Sequence, residues 1–254
     1  IGAEIADQFR SETRLVFLES PSSFTFEIQD VPTLAAACQD NGILTAIDNT
    51  WASPLYFQPL DHGVDISIQA ATKYLSGHSD VMMGTISTND DGILKLVKDV
   101  AIQFGYSVSP ADCYLALRGV RTMGVRLRQH QETALKLINW LKDQSEVSEI
   151  LYPGWLRDPG FDIWRRDFKG ASGLFGVVLK TKNKASVSRF IEGMKHFKIG
   201  ASWGGYESLI IPSYPVRSHA NPAWEDRGSL LRIHAGLEDS RDLIEDLEKG
   251  FLRI

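Results

Sequence analysis

Short apolar runs alternate with a helical pattern through the first third of the chain, and this alternation constrains the fold more than any other feature. Residues 15–18 (LVFL), 43–47, 65–69 and 81–87 each read as a buried strand bounded by polar or turn residues. Residues 31–39 predict a helix, with Asp30 at its N-cap and Gly42 where the chain must stop and turn. Strands joined in this way pair in parallel when each crossover passes over a sheet face. The order therefore predicts a mainly parallel α/β sheet covered on both sides.

The middle of the chain reads as helical. Ser109-Pro110-Ala111-Asp112 is a helix start, with a capping serine, proline at the first helical position and a carboxylate near the positive end of the dipole. Ala134, Leu137, Ile138 and Leu141 then recur at helical spacing and predict one buried face. Residues 152–170 break into Pro, Gly, Trp and charges and read as a connecting loop. A strand at 174–180, a helix at 184–196, a strand at 230–234 and a closing helix after Glu238-Asp239-Ser240 follow. That order predicts a smaller α+β domain beginning near Val120, hence a division into 1–119 and 120–254.

Composition narrows the partners. Hydrophobic residues make up 43% and charged residues 23% of 254, the balance of a soluble globular protein. A net charge of −5 argues against nucleic acid or an anionic membrane, both of which attract a basic face. Arg118, Arg121, Arg126 and Arg128 lie close together and read as a solvated, ion-paired helix region. Cys38 and Cys113 form no C-x-x-C pair and stand in apolar helical patterns, so buried free thiols are expected. No apolar run approaches membrane-spanning length, and IGAEIADQFRSE lacks the pattern of a secretory signal, so a reducing, cytoplasmic setting is expected.

Ligands of open α/β sheets bind beyond the carboxyl ends of the strands. Asp48 follows the strand ending at Ile47, and Lys73 lies shortly after the strand ending near Gln69, so both fall on that edge. A lysine and a carboxylate there suit pyridoxal phosphate (PLP), whose aldehyde forms a Schiff base with lysine and whose ring nitrogen needs an acid partner. A plain Asp–Lys ion pair would have the same placement.

The local sequences go further. The chain reads Ala46-Ile47-Asp48-Asn49-Thr50-Trp51 and then Gln69-Ala70-Ala71-Thr72-Lys73-Tyr74-Leu75-Ser76-Gly77-His78-Ser79-Asp80. This resembles the Cys/Met-metabolism family of PLP enzymes, which includes cystathionine β-lyases, γ-lyases and γ-synthases. The resemblance runs from Val16-Phe17-Leu18-Glu19-Ser20-Pro21 to Leu231-Arg232-Ile233-His234-Ala235-Gly236-Leu237-Glu238-Asp239. It implies a PLP-dependent transferase-like large domain of the aspartate aminotransferase type, followed by the smaller α+β domain. It also implies that Lys73 is the Schiff-base lysine, Asp48 the partner of the ring nitrogen, and Thr72 a hydroxyl on the cofactor phosphate. Arg232 matches the clamp for the substrate α-carboxylate, a task that suits a planar fork. Ser202 and Trp203 match the pair lining the substrate site, where the serine can tether the lysine. No metal is implied: His78 and Asp80 lack further ligands at spacing.

Two departures from the family pattern stand out. Ala70 replaces a serine that many relatives carry, and Glu19-Ser20-Pro21-Ser22-Ser23-Phe24 stands where many read E-S-P-x-N-P. Together with Ser202-Trp203-Gly204-Gly205-Tyr206-Glu207-Ser208 these resemble the bacterial cystathionine β-lyase branch. The implied reaction is α,β-elimination of L-cystathionine to homocysteine, pyruvate and ammonia, a step of methionine biosynthesis and transsulfuration. A γ-lyase or γ-synthase, a cysteine-conjugate β-lyase, and a non-catalytic PLP-fold partner are the alternatives. A homo-oligomer, dimer or tetramer with shared active sites, is implied as well. Relatives carry an N-terminal stretch ahead of the first strand that supplies further phosphate and ring contacts. Its parts are not found in this chain, so weak cofactor binding by residues 1–254 alone is expected. His130, His196, His219 and His234 are assigned no catalysis, Gly204-Gly205 reads as a tight turn, and Trp51, Trp140, Trp155, Trp164 and Trp224 read as packing residues.

Overall fold

A computed structural model describes residues 3–215 and 227–254. Strands β1 (Leu15–Glu19), β2 (Leu44–Asp48), β3 (Ile66–Ala70) and β4 (Gly84–Ser87) form one sheet in the order β1-β2-β3-β4. The first three are parallel and β4 runs antiparallel to β3. Helix α1 (Val31–Asp40) connects β1 to β2, and the Asp30 carboxylate accepts the Thr33 N–H at its start. Gly42 ends that connection at φ +67°, a left-handed conformation that glycine adopts without strain. Short helix α2 (Ser53–Tyr56) follows β2, and α3 (Asp91–Gln103) follows β4.

Helix α4 (Pro110–Leu141) starts at the predicted cap, where Ser109 Oγ accepts the Asp112 N–H at 3.1 Å. It is continuous through Val120 and buries Ala134, Leu137, Ile138 and Leu141. Beyond it lie β5 (Val147–Leu151), α5 (Phe161–Asp167), β6 (Leu174–Leu179), α6 (Lys184–Glu192), β7 (Lys198–Ile199), β8 (Leu209–Ser213), β9 (Ser229–His234) and α7 (Ser240–Phe251). The second sheet has the order β5-β6-β9-β8-β7 and is antiparallel except for the β7–β8 pair. Helix α7 caps on Asp239 and buries Leu243 and Leu247. The two sheets share one core: the Trp51 indole donates to Leu174 O at 2.9 Å, and Phe57 stacks on Phe168 at 4.4 Å between ring centroids.

Several expectations need correction. Residues 152–170 are not loop throughout, because α5 forms after Gly160. The fourth strand starts at Gly84 rather than at 81, and the helix from 184 stops at Glu192 because Gly193 follows it. Cys38 is buried, but Cys113 lies on the solvent side of α4's first turn. Arg118, Arg121 and Arg128 are exposed as read, without an ion pair among the described residues. Arg126 is buried and held by oxygen atoms of neutral groups: it donates to Thr122 Oγ1 at 3.1 Å and to Gly119 O at 2.7 Å. Trp51 is buried, and Trp140, Trp155 and Trp164 pack against the core. Trp224 and His219 lie outside the described residues. No helix among the described residues is long and apolar enough to cross a membrane.

Candidate active site

The parallel strands β1, β2 and β3 end on one edge at Glu19, Asp48 and Ala70. Asp48 Oδ1 accepts the Thr50 N–H at 2.9 Å and also the Thr50 hydroxyl. Thr50 Oγ1 in turn accepts the Ala70 N–H at 2.8 Å. Asp48 is thereby fixed to the end of β3, where the turn carrying Lys73 begins. A carboxylate accepting the N–H two residues on is an Asx turn, so the sequence Asp48-Asn49-Thr50 carried a local signal for Thr50 that the sequence reading did not use. Glu19 is the register partner of Asp48 on β1 and accepts from the Ser23 hydroxyl. Burial lifts the Glu19 carboxyl above its usual range despite that hydrogen bond, and the neighbouring charge of Asp48 adds to the rise.

Lys73 extends from this edge toward the second sheet. Its Nζ donates to Ser202 Oγ at 2.7 Å and lies 5.3 Å from the centroid of the Trp203 ring. Burial, and then the charge of Arg232, pull the Lys73 amine below its ordinary pKa. Arg232 on β9 is 8% exposed, donates to Ala201 O, and places its guanidinium carbon 5.1 Å from the centroid of the Phe24 ring. The structure thus gathers Lys73, Ser202, Trp203 and Arg232 around one amine and holds Asp48 to the same sheet edge. Thr72 adjoins Lys73, and its hydroxyl accepts the Met83 N–H at 3.0 Å and donates to Met83 O at 3.3 Å. The donor to Met83 O is long, so this hydroxyl can turn to an anion at modest cost.

Those residues suit PLP at its reactive end. An amine pulled below its ordinary pKa and a fixed carboxylate at the same strand edge are what such a group requires there. At the phosphate end Thr72 offers a hydroxyl and Ala70 offers none.

Behind Lys73 lies a buried ring cluster that the sequence reading left without a role. Tyr74, His130 and His234 are all under 2% exposed, and the two histidine rings are 5.1 Å apart. Burial lowers His130 to about 4 and, with the nearby charge of His130, lowers His234 to about 3. The sign follows from linkage: the unfolded chain takes up these protons near pH 6.5 and the folded chain does not. The stability they contribute is complete above pH 6.5 and is lost as pH falls toward 4 and then 3. Each histidine adds up to about 1.4 kcal/mol per pH unit to that loss. Urea midpoints should therefore fall steeply between pH 6.5 and 5, above the range where ordinary carboxylates titrate. A flat midpoint across that window would refute the account.

The profile of the Cys/Met metabolism PLP-dependent enzyme family matches residues 1–252. Among curated proteins, the chain is similar to cystathionine β-lyase MetC of Escherichia coli, at 44% identity over 100% of this chain and 66% of that protein. It is also similar to an L-alanine/L-glutamate racemase of Wolbachia pipientis, at 41% identity over 99% of this chain and 62% of that protein. Among solved structures, cystathionine γ-synthase from Xanthomonas oryzae, in complex with cystathionine, superposes with a TM-score of 0.87 at 34% identity. That match covers 94% of this chain and 63% of that one. The chain thus spans a little under two thirds of the length of the relatives it matches.

Proposed function

The chain belongs to the Cys/Met metabolism family of PLP-dependent enzymes, and on that footing we propose that it is a carbon–sulfur lyase performing α,β-elimination on L-cystathionine. The observation that carries this reading is the contact of Lys73 Nζ with Ser202 beside the Trp203 ring, with Arg232 close enough to act on the amine. Bound PLP supplies the electron sink for charge left at the substrate α-carbon. Lys73 would hold it, Asp48 would face its ring nitrogen and Thr72 would reach its phosphate.

Arg232 receives the substrate α-carboxylate, for which its planar fork allows two parallel hydrogen bonds. The Lys73 amine, with its pKa pulled down by burial and Arg232, is available as the base that takes the α-proton. Ser202 keeps that amine in place between steps, and Lys73 returns a proton to the departing sulfur. The released 2-aminoacrylate tautomerises to an imine that one water hydrolyses, so the products are homocysteine, pyruvate and ammonia. We place the enzyme in the cytoplasm and divide it near residue 120. We read it as a homo-oligomer, dimer or tetramer, in keeping with α3, which buries none of its residues and exposes Leu96, Val100 and Ile102.

Product analysis tests the reaction. Trp203 is bulky and packs on Tyr74 at 5.5 Å, so it limits how a substrate side chain can lie beside Lys73. Cystathionine should yield pyruvate and homocysteine, and Trp203→Ala should raise the share of 2-oxobutyrate. Mainly 2-oxobutyrate and cysteine from the unaltered protein would overturn the β-assignment. Because one relative is named a racemase, the same samples should be assayed for racemised alanine and glutamate. Racemisation without carbon–sulfur cleavage would overturn the lyase reading.

A further inference from the structure

Ser202 and Trp203 can act on Lys73 only if the loop between β7 and β8 is held in place. Ser202 is itself exposed, so packing does not fix it. Two side chains of β9 reach that loop. Arg232 donates to Ala201 O, and two residues on, on the same face of the strand, His234 reaches Gly204 and Gly205. The Gly204 N–H points at His234 Nε2 at 3.1 Å, and Gly205 O lies 3.1 Å from the same nitrogen; a neutral ring accepts from the first or donates to the second according to its tautomer, so one of the two is a hydrogen bond at a time. Gly204 is pressed onto Lys73. A side-chain carbon there would stand 2.9 Å from the Lys73 Cα, Cβ and carbonyl carbon, and its φ is +86°. The loop therefore meets the lysine backbone at the residue that His234 holds.

The ring has no slack of its own. His234 is 1% exposed and lies 6.0 Å from the Tyr74 ring and 5.1 Å from His130. His130 Nδ1 donates to Ala235 O at 2.8 Å, which secures the chain just after His234. Tyr74, next to Lys73, accepts the Gly173 N–H at 3.0 Å.

We propose that His234 is a positioning residue: through Nε2 it pins the Gly204–Gly205 turn against Lys73 and so sets where the Ser202 hydroxyl and the Trp203 ring stand relative to Nζ. The reaction it would serve rests on the lyase reading above, whereas the positioning itself does not. Burial disfavours the charged form of this ring, and so do the charges of His130, Lys73 and Arg232. Buried at 1% exposure, the ring acts through the backbone it touches.

The test compares His234→Gln, →Asn and →Leu in the whole protein. The glutamine amide lies near the place of Nε2 and can both accept from Gly204 and donate to Gly205. Asparagine puts its amide nearer Nδ1, and leucine offers neither contact. The first readout is the pH profile of Lys73 acylation, resolved by peptide mass mapping without added cofactor. Loosening the loop solvates the amine, so its midpoint should move up toward an ordinary lysine in the Asn and Leu variants and stay near wild type in Gln. Cystathionine turnover should fall about tenfold in kcat, with KM less affected, in the same order. If Leu does not fold, Gln against Asn still decides. Equal profiles in Gln and Asn, or a wild-type profile in folded Leu, would overturn the role. A shifted Lys73 profile in a protein that never cleaves cystathionine would keep the positioning role and reject the lyase reading.

Discussion

Borohydride reduction of the protein loaded with pyridoxal phosphate should leave the label on Lys73 alone, and Lys73→Ala should lose both label and turnover. Only a neutral amine attacks an aldehyde, and an ordinary lysine is almost wholly ammonium at neutral pH. Lys73 departs from that in the required direction, because burial and Arg232 both disfavour its charged form. Lys249, on the surface, goes the other way: its pair with Glu245 raises the amine above its ordinary value. Loss of a positioned acid–base group costs typically 10²–10⁴-fold, and Lys73 also holds the cofactor, so turnover should fall by at least about 10⁴-fold. Lys73→Arg should be equally inactive, since a guanidinium keeps the charge but supplies neither nucleophile nor base at neutral pH. Ser202→Ala should leave labelling on Lys73 and slow turnover only modestly, because it removes a tether and not the amine. Peptide mapping and single-turnover rates report both quantities. Label on any other lysine would remove Lys73 from the centre of the site.

The parts of this site that were legible in the sequence are those with local causes. Strand ends follow from buried apolar runs, so Asp48 and the turn of Lys73 could be assigned to one sheet edge before any contact was known. Asp30, Ser109 and Asp239 announce helix starts because a cap needs only the next few N–H groups. What was missed depends on partners distant in sequence. Strand β8 contains Pro212, which argues against a strand, yet it pairs with β9 on one side and, over Lys198–Ile199, with β7 on the other. Helix α5 was hidden among Pro, Gly and Trp because its stability comes from tertiary contacts, among them the bond of Arg166 to Asp30. Arg126 read as surface because a charge on a helix usually is; its burial comes from the turn after Lys73, where Gly77 leaves room for the guanidinium. His234 carried no signal of its own, since a lone histidine in an apolar strand gives no hint of the glycine loop that it holds.

Asp48→Asn should leave the fold intact and cut turnover about 10²–10³-fold, the loss typical when one preorganised electrostatic partner is removed. Asparagine preserves the local geometry. One amide oxygen can still accept the Thr50 N–H and hydroxyl, so the link from Thr50 to Ala70 survives and the melting temperature should change little. What disappears is the negative charge that would keep the cofactor's ring nitrogen protonated. Glu19 is the rival for that task, because it stands beside Asp48 in register at the same edge. Its circumstances differ in the relevant respect. Two donors on Thr50 orient the Asp48 carboxylate, whereas Glu19 is pushed toward its neutral form by burial and by Asp48 itself. A carboxyl that gives up its charge readily is a poor partner for a cation. Glu19→Gln should therefore keep turnover within a few-fold of the unaltered protein while Asp48→Asn does not. In the Asp48→Asn protein the repulsion on Glu19 is gone, so its titration should move down toward the ordinary range, which carboxyl chemical shifts would report. Turnover falling with Glu19→Gln and surviving Asp48→Asn would transfer the role to Glu19; survival in both would mean that neither carboxylate serves the ring nitrogen.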